Sequence, residues 1–105
     1  MTRGDIFRIN LPVRRGREQH GPRYGVLVQA DELLGLSTVL VAPTSRSARP
    51  ASFRPEVEIA GERTRVMVEQ MRALDLERLG AHAGRLSVSE QRALDDALVL
   101  TLALR

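Results

Sequence analysis

Two short basic segments hold the residues of this chain best suited to polar chemistry. The first reads Gly16-Arg17-Glu18-Gln19-His20-Gly21-Pro22-Arg23 and the second Ala42-Pro43-Thr44-Ser45-Arg46-Ser47. A carboxylate, a guanidinium and a hydroxyl suffice for metal-free cleavage of RNA, because the attacking group is then the substrate's own 2′-hydroxyl. The protein need supply only a base, a cationic clamp for the pentavalent phosphate and help for the departing 5′-oxygen. Glu18 is the candidate base and Arg23 the candidate clamp. A hydroxyl from Thr44 or Ser45 is the candidate partner of a non-bridging phosphate oxygen. The plain alternative leaves Glu18 paired with Arg14 or Arg17 on a solvated loop. Chemistry that recruits the 2′-hydroxyl would leave DNA uncut.

Other common catalytic sets are absent from the sequence. Its His residues, His20 and His82, form no HExxH and no pair at ligand spacing, which argues against a zinc hydrolase. No GxxxxGK[ST], GxGxxG or GxSxG occurs, and the absence of Cys removes thiolate nucleophiles, disulfides and Cys-based metal sites. The expectation is therefore no metal and no cofactor, with His82 structural or simply exposed.

Charge points the same way as the loops. The chain has 16 basic residues, all of them Arg, against 13 acids, for a net charge of +3. An all-Arg complement fits GC-rich codon usage, but Arg also suits phosphate through its planar, two-pronged donor geometry. The basic residues cluster. Arg3, Arg8, Arg14, Arg15, Arg17 and Arg23 meet only Asp5 and Glu18 in the first segment, and Arg46, Arg49 and Arg54 meet no acid between Leu33 and Pro55. A local basic surface favours a polyanionic ligand. With only Phe7, Tyr24 and Phe53 as aromatics, a nucleic-acid site here cannot rest on a platform of stacked rings.

At 105 residues and 43% apolar content the chain reads as one globular domain, spanning 1–105, with a modest core. No leader pattern or membrane-length apolar run appears, so the expected location is the cytoplasm, with no membrane partner. Asp5 to Leu11 alternates, with Phe7, Ile9 and Leu11 on one face, and predicts a strand ending at Pro12. Further strands are expected over Tyr24 to Gln29, Ser37 to Ala42 and Glu56 to Ile59. Gly61 should turn the chain, one longer or two short strands should fill Arg65 to Leu74, and Leu76 to Leu79 fits a helical turn. Val13 to Arg23 and Pro43 to Pro55 read as loops, the second long enough to suggest a function. Ser87 followed by Glu90 is a capping-box pattern opening an uninterrupted helix. Leu94, Leu98 and Leu102 form one stripe on it; Ala93, Ala97, Leu100 and Leu104 form the adjacent one. The pair is wider than a small sheet usually covers, which leaves either a fully packed helix or one stripe buried in a homodimer. Several short strands and one terminal helix predict a mainly β, α+β fold: a small antiparallel barrel or curled sheet.

Four ordered pieces then carry a family resemblance over nearly the whole chain. Arg3-Gly4-Asp5-Ile6-Phe7 followed by Gly16-x-Glu18-Gln19-x-Gly21-x-Arg23 resembles the opening of the MazF/PemK toxins. Thr38-Val39-Leu40-Val41-Ala42-Pro43 is similar to that family's third strand and the loop after it. Glu69-Gln70-Met71-Arg72-Ala73-Leu74-Asp75, with Arg78-Leu79, matches a further segment, and Gly84-Arg85-Leu86 leads into the last helix. The resemblance implies an SH3-like barrel homodimer, of the architecture shared with CcdB. It implies a sequence-specific, metal-independent endoribonuclease that cuts single-stranded RNA, typically mRNA, and is inhibited by a cognate antitoxin. Carried over by position, Glu18 falls on the family's general base and Arg23 on its catalytic arginine. The catalytic hydroxyl falls on Ser45, where family members usually have Thr, with Thr44 as second choice. Arg17, Gln19, Arg46, Arg49, Glu69, Gln70 and Arg72 are the expected RNA contacts: Arg46 and Arg49 at phosphates, Glu69, Gln70 and Arg72 at base edges. Tyr24 stands where the family usually has Pro, and Arg17 where it has Ser. Rival readings keep the architecture and change the role: a CcdB-type toxin that binds gyrase, a non-catalytic nucleic-acid-binding barrel, or a weakened ribonuclease.

Overall fold

A computed structural model describes residues 1–12, 16 and 21–104. Alternation makes the first strand, β1 (Asp5–Leu11), and it runs antiparallel to β2 (Gly21–Leu27) from Ile6 opposite Val26 to Leu11 opposite Gly21. The sheet continues from β2 to β3 (Thr38–Ser45), and on β1's other side to β7 (Leu79–Arg85). A hairpin of β4 (Glu56–Ile59) and β5 (Glu62–Val66) and the short β6 (Arg72–Asp75) complete it. The spatial order is β4-β5-β3-β2-β1-β7, with β6 also on β3. The result is mostly β: a curled antiparallel sheet forming a half-barrel, closed by the single C-terminal helix α1 (Val88–Leu102).

β3 is the hinge of this curl. One edge of it pairs with β6 over Thr38–Val41 and then with β5 at Thr44 and Ser45. Pro43 sits at the change of partner. Its carbonyl accepts the Met67 N–H at 2.8 Å on that edge, so its nitrogen faces the gap between β6 and β5, where no donor is required. That is why the strand runs through the Pro and two residues into the segment read from sequence as a loop. The loop proper is shorter, covering 46–55.

Two apolar clusters line the two faces of the sheet, as the period of two demands. One gathers Ile6, Val26, Val28, Val57, Ile59, Val66 and Val68 against Leu94 and Ala97 of α1; the other holds Ile9, Leu11, Leu27, Val39, Val41 and Leu74. The Val41 and Ile9 side chains fill the space over Gly25: a Cβ there would stand 2.5 Å from Val41 Cγ1 and 2.7 Å from Ile9 Cδ1. The capping box at α1 is formed as the sequence requires. Ser87 Oγ accepts from the Glu90 N–H at 3.1 Å and Glu90 Oε1 accepts from the Ser87 N–H at 2.9 Å. Glu90 Oε2 also accepts the Glu58 N–H at 2.8 Å, tying the helix start to β4.

The helix settles the question its two stripes raised. Leu94 and Ala97 are buried and Leu98 half-buried, while Leu100, Leu102 and Leu104 remain 55%, 48% and 65% exposed. It is not a fully packed helix within one chain. Val99, Leu102 and Leu104 join Leu40 and Met71 around an apolar hollow of about 360 Å³. Among the described residues no helix is long and apolar enough to cross a membrane.

Candidate active site

Where β2 runs past its pairing with β3, and β3 passes onto β5, the sheet opens into a hollow of about 560 Å³. Arg8, Pro22, Arg23, Tyr24, Thr44, Ser45, Arg46, Ser47, Ile59, Glu62 and Thr64 line it. Five strands and the loop after β3 thus converge on one concavity, and three of the lining side chains are guanidinium groups.

Arg23 is half-buried on β2, and its Nη1 donates to the Thr44 carbonyl at 2.6 Å. Burial pushes its guanidinium below the ordinary arginine value, since desolvation disfavours the charged form. The group nevertheless keeps its proton at neutral pH. A cation withdrawn from water beside a hydroxyl-rich strand end is prepared to receive an anion at lower solvation cost than a free surface arginine.

The structure separates Thr44 from Ser45. Thr44 is buried, and its hydroxyl donates to the Tyr24 carbonyl at 3.0 Å, so that oxygen clasps β3 to β2. Ser45 is only half-buried, and its hydroxyl meets that of Ser47 at 3.2 Å on the wall of the hollow. The second hydroxyl can turn toward a ligand without dismantling the sheet.

Arg46 also lines the hollow, in an exposed ion pair with Glu62, which reaches across from β5. Arg49 is exposed on the loop, and its carbonyl accepts from Arg54 Nη1 at 3.2 Å; its side chain is not part of the lining. Nor do Glu69, Gln70 and Arg72 line this hollow. Glu69 accepts from Arg54 Nε at 2.8 Å, Gln70 belongs to the turn before β6, and Arg72 begins β6 opposite Val41. Arg17, Glu18, Gln19 and His20 lie outside the described residues. The chain enters and leaves that segment at Pro12 and Gly21, and Pro22 and Arg23 immediately beyond it line the hollow. Among the described residues no group of three or more His, Asp or Glu side chains is placed to hold a metal ion.

Five lining residues escaped the sequence reading of the site: Arg8, Tyr24, Ile59, Glu62 and Thr64. Arg8 was legible as the outward position between Ile6 and Leu11, but nothing local distinguished it from a solvated charge. Glu62 and Thr64 reach the hollow only because the β4–β5 hairpin folds back on β3.

A curled antiparallel sheet closed by one terminal helix is a build shared with bacterial toxins of known structure. The chain superposes on MazF (Form-I) from Deinococcus radiodurans with a TM-score of 0.84 at 18% identity, covering 98% of this chain and 96% of that one. Against the Mycobacterium tuberculosis toxin MazF-mt6 the TM-score is 0.81 at 19% identity, with 96% and 98% covered. An endoribonuclease in complex with its cognate antitoxin, from a mycobacterial species, gives 0.82 at 16% identity over 100% and 97% of the two chains. In sequence, a Mycobacterium tuberculosis (strain ATCC 25618 / H37Rv) protein named as a candidate toxin is 43% identical over 77 residues, 72% of each chain. The family model of PemK-like, MazF-like toxins of type II toxin–antitoxin systems matches residues 2–102. The chain belongs to that family.

Proposed function

We propose that this toxin is an endoribonuclease that cuts single-stranded RNA at the hollow between β2, β3 and β5, without a metal ion. The observation that carries the reading is the half-buried Arg23 guanidinium and the half-buried Ser45 hydroxyl lining one concave wall. A phosphodiester seated there meets a cation and a hydroxyl donor directed at its non-bridging oxygens, where charge grows in the transition state. Glu18, on the segment that ends beside this wall, is the general base. It takes the proton of the 2′-hydroxyl as the 2′-oxygen bonds to phosphorus; the bond to the 5′-oxygen breaks and that oxygen takes a proton from water as it leaves. The products are a 2′,3′-cyclic phosphate and a 5′-hydroxyl. Arg23 acts as a clamp rather than an acid, because a guanidinium does not yield its proton near neutral pH. Ser45 carries the hydroxyl role, since Thr44's is spent on the Tyr24 carbonyl. Arg46 adds a phosphate contact once released from Glu62.

The exposed leucines of α1 complete the proposal. A surface that leaves Leu100, Leu102 and Leu104 in water is the face of a homodimer. The family's pairing of toxin with antitoxin supplies the second protein partner, and such a toxin works in the cytoplasm. The direct test of the chemistry is an oligoribonucleotide carrying one 2′-deoxy sugar at a mapped cut site. Cleavage there should disappear while binding persists; cleavage that continues at the deoxy position would exclude 2′-hydroxyl attack.

A further inference from the structure

The β1–β2 pair places Arg8 directly opposite Tyr24, and the Arg8 guanidinium carbon sits 4.9 Å from the centre of the Tyr24 ring. Both line the hollow that holds Arg23 and Ser45. Tyr24 is half-buried, its ring packed on the core beneath the sheet, whereas Arg8 is exposed. The ring therefore supports the guanidinium from below and leaves the guanidinium's outer side to solvent. Arg8 is also the ridge between this hollow and a second of about 450 Å³, whose walls include Asn10, Arg78 and Gly80. The backbone is shaped for that position. β1 and β7 slip register between Phe7 and Ile9, a bulge opposite Arg8, and a Cβ on Gly80 would stand 3.1 Å from the Arg8 carbonyl.

We infer that the Arg8–Tyr24 pair is a nucleobase subsite: the base next to the scissile phosphate stacks on the Arg8 plane, which Tyr24 holds in place. The inference rests on the ribonuclease reading of the same hollow and adds a positioning element to it. A guanidinium held over an aromatic ring is a preorganised stacking surface, and bases stack on arginine as they do on rings. An isolated surface arginine would first have to be ordered. One such pair gives a protein with few aromatics a stacking contact without a platform of rings. It also gives Tyr24 a use at a position where the resemblance leads one to expect Pro.

The chain contains one Tyr and no Trp, so intrinsic fluorescence reports on Tyr24 alone. The probe is an oligoribonucleotide with a 2′-O-methyl sugar at a mapped cut site, compared with the same strand made abasic at the flanking nucleotide. The intact strand should quench Tyr24 emission, and the abasic strand should not. Removing the base should weaken binding roughly 5- to 100-fold, the range of one base–side-chain stack. Arg8→Lys keeps the charge and loses the plane, so it should bind intact and abasic strands almost equally and raise KM with little change in kcat. Tyr24→Leu should act as Arg8→Lys does, and Tyr24→Phe should restore the wild-type ratio. Should wild type cleave RNA while both disruptive variants keep its full preference for the intact strand, the subsite is overturned and the ribonuclease reading stands. Should wild type neither bind nor cleave RNA, the ribonuclease reading fails and the subsite with it.

Discussion

Neighbouring hydroxyls on β3 have different jobs, and substitution should expose the division. Ser45→Ala removes an oxygen that faces the hollow, so cleavage should fall by about 10-fold or more with thermal stability intact. Thr44→Val leaves the Tyr24 carbonyl without its donor and should lower stability by about 1 kcal/mol in a denaturant melt, with a smaller effect on rate. Arg23→Ala should cost about 10²–10³ in kcat/KM, the scale set by loss of one transition-state donor. Near wild-type cleavage by that variant would remove Arg23 from the mechanism. Glu62 presents a carboxylate to the same wall and occupies Arg46. An exposed pair of this kind holds roughly 0.2–1 kcal/mol, so Glu62→Gln should lower KM for RNA by about 2- to 5-fold and leave kcat nearly unchanged. A rise in KM would mean that Glu62 contacts substrate favourably.

The elements that carry these residues make their own demands. Gly25→Ala would push a methyl into the Val41 and Ile9 side chains, and overpacking of this order costs about 1–3 kcal/mol. A lower melting midpoint with unchanged cooperativity is the expected result. At the start of the chain the Asp31 carboxylate accepts from the Arg3 N–H at 2.6 Å and from Thr2 Oγ at 2.9 Å. The backbone bond from Arg3, then the Thr2 hydroxyl, hold its carboxyl below the usual 3.8. Its folded pKa lies below its unfolded one, so its contribution to stability is complete above the ordinary carboxylate value and is lost as pH falls through the folded value. The Tm difference between wild type and Asp31→Asn should therefore be present at neutral pH and close in acid; a gap that persists in strong acid would refute the assignment. β1, β4, the Gly61 turn and the capped helix were legible because alternation, a turn glycine and a capping box are local signals; the strands expected within Arg65 to Leu74 instead run over Glu62–Val66 and Arg72–Asp75. β7 was not, because Gly80, Ala81, Ala83 and Gly84 carry no strand preference and the strand exists through its pairing with β1. The passage of β3 through Pro43 was hidden too, since it depends on a gap between two other strands. Arg23, Ser45 and Arg46 could be named from the basic segments of the sequence, whereas Arg8, Tyr24 and Glu62 joined them only once the strands had paired.

Across the whole molecule, the proposed reading assigns the basic hollow to a polyanion and the exposed apolar helix face to a second copy of the chain. Placing Glu at both Leu100 and Leu102 should convert a sedimenting dimer into a folded monomer, because two charges cannot be desolvated in an apolar interface. Unchanged sedimentation would move the dimer contact elsewhere. The central claim is tested most directly by incubating the purified protein with a long single-stranded RNA in EDTA and mapping the new 5′ ends. The account predicts cuts at a short recurring sequence, each leaving a 5′-hydroxyl and a 2′,3′-cyclic phosphate. Intact RNA in EDTA, with cleavage restored by added divalent metal and 5′-phosphate ends, would contradict it.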